Sequence, residues 1–236
     1  MCGRFALTLP PDAARQYFGY LEQPNFPPRY DIRPTDPVAV VTLSQGARHF
    51  MLMRWGFIPG FVKDEKEFPL LINARSETVF EKASFRNAIK RRRCLFVADA
   101  FYEWMKLDDV ARPAKVDAGF ASGRATGKTG KKQPYRIFRP SGEPLAMAGI
   151  HETWSSRDGS EIDTCAILTT SANATLTAIH DRMPVILDPT DFDAWLAPDT
   201  EQDRVQRLMR PLRDDALIME RIAKVGPPEP EDGQLF

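Results

Sequence analysis

The sequence predicts an α+β fold: a single compact, β-rich domain with a mainly antiparallel, barrel-like core and peripheral helices. Eight short apolar segments have the length and residue types of strands, against two or three helical patterns. Twenty prolines are spread along the chain, which favours many short elements over a few long ones. No internal repeat or linker divides the 236 residues, an ordinary length for one such domain.

Taken in order, Ala14, Phe18 and Leu21 fall at helical spacing after Asp12. Residues 37–43 and 49–53 read as strands flanking a turn at Ser44-Gln45-Gly46. The apolar run 69–72 reads as a strand that ends in Asn73, Arg75 and Glu77. Further strands are expected at 94–98, 134–138, 145–150, 164–168 and 184–187. A short helix is expected from Asp191 to Leu196, and another where Val205, Leu208, Met209 and Leu212 recur at helical spacing. The stretch from Leu107 to Gln133 lacks hydrophobic periodicity and is expected to be a long surface loop. The domain is therefore placed at residues 1–225, with a flexible tail at 226–236. Within the loop, Gly123 to Thr129 imitates a phosphate-binding loop, but its glycine spacing is one residue short and no strand leads into it.

Composition excludes several classes. Lys+Arg and Asp+Glu are both 32, so any nucleic-acid binding must come from a local patch. Arg86, Lys90, Arg91, Arg92 and Arg93 are candidates, although a solvated helix end explains that run better. No apolar stretch approaches a membrane span, and the N-terminus lacks a signal peptide's clean apolar core. A cytoplasmic protein is expected. The three cysteines, Cys2, Cys94 and Cys165, form no CxxC pair, so neither a disulfide framework nor a zinc site is expected. Cys94 and Cys165 lie in apolar strand-like runs and read as buried small hydrophobes.

Cys2 is different. Once Met1 is removed, it carries a free α-amine and a thiol on adjacent carbons. Such an amine, with an ordinary pKa of ~7.7–8.0, is partly neutral near physiological pH and can condense with an aldehyde. The neighbouring thiol can then close on the imine to give a five-membered thiazolidine. Three other stretches carry candidate chemistry. Asn73, Arg75 and Glu77 stand at an element terminus, where sites are commonly built. Glu103 lies among Phe101, Tyr102 and Trp104, surroundings that disfavour a charged carboxylate. His180 can move protons near neutral pH, whereas His49 and His151 sit beside strand-like segments without matching partners. For each, a bland reading stands beside this one: a surface Arg75–Glu77 pair, an edge strand, and a histidine capping a helix.

Together the pieces resemble the SOS-response-associated peptidase family, the abasic-site processing proteins. The matching stretches are Met1-Cys-Gly-Arg-Phe5, Pro28-Arg-Tyr with Pro34-Thr35, Trp55-Gly56, Asn73 to Thr78, Phe101 to Trp104, Gln133-Pro-Tyr and His180 to Pro184, in the family's order. The resemblance implies that Cys2 is the nucleophile that joins the ring-opened sugar of an abasic site in single-stranded DNA. It implies that Asn73 positions the Cys2 amine or thiol, that Glu103 exchanges protons with the sugar oxygen, and that His180 assists proton transfer or holds the sugar and its 3′ phosphate side. Arg4 and Arg75 would contact phosphates, with Arg182 in the same DNA-binding set, and Trp55 or Phe61 would offer a surface on which bases stack. Asp31 and Arg33 stand where the family more often has Asn and Ala, and Phe61 replaces a common Trp. A self-processing peptidase activity and a lyase activity belong to the same expectation. So do single-stranded DNA as partner, work beside the replication machinery, association with the nucleoid when DNA-bound, a monomeric state, and the absence of a cofactor or metal. Two rival functions are a cysteine hydrolase built on Cys2, Glu103 and His180, and a non-covalent reader of single-stranded or modified DNA.

Overall fold

The computed structural model describes residues 2–106 and 132–227. The chain enters as strand β1 (Phe5–Leu7), every residue of it buried. Helix α1 (Pro11–Phe18) follows; proline at its start needs no N–H partner, and Gly19 ends it in a left-handed conformation with φ 70°. Ala14 and Phe18 form its buried face, but Leu21 lies beyond the helix and is exposed.

Strand β2 (Arg29–Ile32) leads to the hairpin of β3 (Pro37–Ser44) and β4 (Ala47–Trp55). Gln45 and Gly46 both have positive φ, 50° and 78°, the backbone of the two-residue turn that matches strand twist. Next come β5 (Asn73–Arg75), helix α2 (Arg86–Arg91), β6 (Arg93–Ala98) and β7 (Ala100–Lys106). Beyond the undescribed segment lie β8 (Lys132–Phe138), β9 (Leu145–Ser155), β10 (Glu161–Ser171) and helix α3 (Ala174–Thr177). The short strands β11 (Arg182–Pro184) and β12 (Ile186–Leu187), helices α4 (Phe192–Leu196) and α5 (Gln202–Leu208), and strand β13 (Ile218–Arg221) complete the order.

Five strands close on themselves in the order β3-β4-β10-β9-β6, with only the β4–β10 contact parallel. Closure removes sheet edges and leaves room for close packing inside. Gly149 illustrates this, because a Cβ there would meet the Phe96 ring at 2.5 Å. A second, antiparallel sheet runs β13-β8-β7-β1-β2. It packs on the barrel through Phe5, whose ring lies 5.2 Å from Trp55 and 6.2 Å from Phe96. The architecture is the expected α+β one, with few and peripheral helices.

Several boundaries differ from expectation. The strand expected at 69–72 lies instead at Asn73–Arg75, which pairs in parallel with Ile167–Thr169 of β10. The segment after His180 is two strands, because β11 pairs with β10 and β12 with β9. Val185 between them donates to Leu168 and accepts from Ala148, both at 2.8 Å, so the chain steps from one barrel strand to the other. Lys132 and Gln133, assigned to the long loop, pair with Lys106 and Met105. Leu212 lies past the end of α5. The rest of the loop, the phosphate-loop imitation at 123–129 and the tail from 228 lie outside the described residues.

The basic run is not one solvated patch. Arg92 pairs with Glu152 at 2.7 Å, and Arg93 is 2% exposed. The Arg93 guanidinium donates to the carbonyls of Ile89 (2.7 Å), Lys90 (2.6 Å), Trp195 and Ala197, and so satisfies the last carbonyls of α2 and α4 together.

Candidate active site

The N-terminal segment is delivered by β1. Phe5 and Ala6 pair with Phe101 and Ala100, and the N–H of Tyr102 donates to the Arg4 carbonyl at 2.9 Å. Asp99 fixes the far end of the strand by accepting from the Thr8 N–H, the Thr8 hydroxyl at 2.7 Å and the Leu9 N–H at 3.1 Å. This register carries Cys2 and Gly3 alongside Glu103. Cys2 is 1% exposed. Burial, and after it the charge of Glu103, push its thiol pKa well above the ordinary value. The shift is opposite in direction to the lowered thiol pKa on which cysteine hydrolases depend.

Asn73, at the start of β5, reaches the same point from the barrel. Its side-chain amide donates to the Cys2 carbonyl at 3.0 Å, not to the amine or thiol. Its Oδ1 is buried and has no hydrogen-bond partner among the described residues. Glu103, 6% exposed, stands on β7 beside Phe101. Cys2, Asn73 and Glu103 are thus brought together from residues far apart in the chain. His180 follows α3, and its Nδ1 accepts the Arg182 N–H at 2.9 Å. A neutral ring consequently carries its proton on Nε2. An Asp181 carboxylate oxygen lies 2.8 Å from the same Nδ1.

Strand β10 gathers the remaining motif residues, with β5 and β11 pairing along its final residues. Arg182 makes a two-pronged pair with Glu77 at 2.6 and 2.9 Å and also donates to the Thr169 carbonyl at 2.6 Å. Its guanidinium joins β11 to the turn after β5, and its side chain is 13% exposed. Glu77 therefore belongs to Arg182, and Arg75 remains exposed. Arg4, 27% exposed, donates through Nε and Nη2 to the two oxygens of Asp31 at 2.7 and 2.6 Å. Its guanidinium also lies 5.3 Å from the Trp104 ring centre.

Of the two proposed stacking residues, only one has a free face. Trp55 is fully buried, donates its indole N–H to Ile72 at 2.9 Å and packs on Phe5, so no base can reach it. Phe61 is 60% exposed and meets Phe68 edge-on at 6.1 Å. A cleft of about 180 Å³ beside Phe68 runs between Arg54, Gly56 and Leu70. Gly56 has φ 152°, and a Cβ on it would meet Leu70 at 2.6 Å. Among the described residues, no group of three or more His, Cys, Asp or Glu is placed to hold a metal.

The family model for SOS response associated peptidase (SRAP) matches residues 1–226. The chain belongs to this family. A Bacillus subtilis relative named abasic site processing protein YoqW is 36% identical over 219 residues, covering 91% of this chain and 89% of its own length. A second from that organism, abasic site processing protein YoaM, is 34% identical over 241 residues, covering 100% and 97%. A solved Bacteroides thetaiotaomicron protein of 24% identity superposes with a TM-score of 0.77 over 94% of this chain and 92% of that one, a likeness of fold.

Within this SRAP chain, three side-chain contacts escaped sequence reasoning. Asp31 as the partner of Arg4, Asp99 as the anchor of β1, and Glu22 as the partner of His49 at 2.7 Å all join residues 27 or more positions apart. The first had a signal, since Asp31 and Arg33 depart together from the usual Asn and Ala. Gln133 had a motif but no role, and here it anchors β13 through the Ile222 carbonyl at 2.7 Å and the Arg221 side chain at 2.8 Å.

Proposed function

We propose that this protein processes abasic sites by forming a thiazolidine between Cys2, freed of Met1, and the ring-opened sugar aldehyde in single-stranded DNA. The observation that carries the reading is the convergence of Asn73 and Glu103 on the buried Cys2. The amine attacks the aldehyde carbon and water leaves to give the imine. The sulfur then adds to the imine carbon while its proton passes to the nitrogen, so the closed ring needs no oxidant or cofactor. A standing thiolate is unnecessary, because the thiol gives up its proton only as the ring closes.

In this reading the Glu103 carboxylate relays protons: it takes one from the anomeric hydroxyl and passes it to the ring oxygen as the sugar opens, then takes one from the attacking amine and passes it to the hydroxyl that departs as water. Asn73 holds the Cys2 carbonyl and thereby orients the amine on the same residue. The Nε2–H of His180 supports the sugar's oxygen or adjoining phosphate. Arg4 and Arg75 hold the strand by its phosphates, and Phe61 supplies the stacking face. Shielding of the lesion during repair follows from the covalent bond.

The test is a denaturing gel of the protein with a single-stranded oligonucleotide bearing one abasic site. A shifted band is expected that needs the aldehyde, is missing with a tetrahydrofuran analogue, and is lost in Cys2→Ala. No such band from protein shown by mass spectrometry to begin at Cys2 would refute the covalent reading. Turnover of a small amide under those conditions would favour the hydrolase.

A further inference from the structure

Asp31 does more than neutralise Arg4. Its carboxylate accepts from two guanidinium groups, Arg4 at 2.7 and 2.6 Å and Arg33 at 2.9 and 2.6 Å. Arg33 is 61% exposed, while Asp31 and Arg4 are 22% and 27% exposed, so the cluster is layered from solvent inward. Burial works against the charged carboxylate, but the hydrogen bonds from Arg4 and Arg33 outweigh it and hold the Asp31 pKa below its ordinary value. The cluster therefore carries two cations and one anion at neutral pH.

The Nε–Nη2 edge that Arg4 presents to Asp31 is the edge with which a guanidinium grips a phosphodiester. Both cannot hold it at once. Arg4 is two residues from Cys2, so a phosphate held by its side chain would belong to the strand that brings the sugar to Cys2. We propose that Asp31 is an internal stand-in for a DNA phosphate, and that Arg33 is the residue that keeps the displaced carboxylate when DNA takes Arg4. The exchange swaps one anion for another on Arg4 and leaves no bare carboxylate facing the phosphates. Asp31 thus sets how strongly a strand must compete to enter, and Arg33 is a positioning residue acting through Asp31.

This rests on Arg4 holding a phosphate, as in the proposed function, but its test does not need the covalent step. Binding of a fluorescent single-stranded oligonucleotide carrying the tetrahydrofuran analogue is measured by anisotropy at one fixed salt concentration. The proteins are the wild type, Asp31→Asn, Arg33→Ala and the double variant, each checked by thermal melting. Asp31→Asn is expected to tighten binding about fivefold, the size of one partly exposed charge pair. Arg33→Ala is expected to weaken it by a similar factor when Asp31 is present and to have no effect in the Asp31→Asn background. Equal losses in both backgrounds would make Arg33 a direct phosphate ligand and overturn the proposal. So would unchanged or weaker binding by Asp31→Asn. Absence of any binding by the wild type would instead refute the DNA-binding reading beneath it.

Discussion

Arg93 and Arg4 each lie near a tryptophan ring, at 5.9 Å from Trp195 and 5.3 Å from Trp104, yet they serve opposite ends. Arg93, in the closed barrel, donates hydrogen bonds to backbone carbonyls drawn from the ends of two helices. Those partners are fixed by the fold and cannot leave. Arg4, in the open sheet beside Cys2, has a side-chain carboxylate that can turn away when another anion arrives. The contrast teaches that an arginine's availability is set by its partner's freedom to move, and only secondarily by its exposure.

The largest effect should come from Arg93→Ala. It leaves several buried carbonyls without donors and is expected to lower unfolding stability by about 3–5 kcal/mol in denaturant titration. A loss under 1 kcal/mol would break the comparison. The same region should govern acid sensitivity. Burial, and then the charge of Arg92, lower the His151 pKa from 6.5 to about 4. The unfolded chain takes up this proton first, so the contribution is complete above pH ~6.5 and declines as pH falls towards about 4. Linkage makes it up to about 3 kcal/mol, and His151→Gln should flatten that limb of a stability–pH curve.

Around Cys2 the effects on stability should be smaller and those on chemistry larger. Asn73→Ala removes one hydrogen bond, about 1 kcal/mol of stability, but should slow adduct formation by roughly tenfold or more in timed gels because the amine loses its orientation. Arg4→Ala should cost less than about 1 kcal/mol of stability while weakening single-stranded DNA binding and lessening its salt dependence. If Arg4→Ala instead unfolds the protein as Arg93→Ala should, the two arginines are alike and the contrast fails.

The sequence by itself determined the element types wherever a local pattern is strong. The Gln45-Gly46 hairpin, the buried runs around Cys94 and Cys165 and the α1 face were readable, because turn geometry and apolar periodicity act over a few residues. The ordered motifs also marked Cys2, Asn73, Glu103 and His180 as a set. Only the tertiary structure decided what surrounds them. Trp55 reads like any motif tryptophan, but barrel closure encloses it; Arg93 reads as the end of a solvated basic run, but two helix ends converge on it. Arg182 reads as a DNA contact, but the pairing of β5 and β11 with β10 brings Glu77 to it. The Asp31 carboxylate meets Arg4 because β1 and β2 pair. These outcomes depend on residues distant in the chain meeting in space, and neither periodicity nor spacing along one strand encodes which partner arrives.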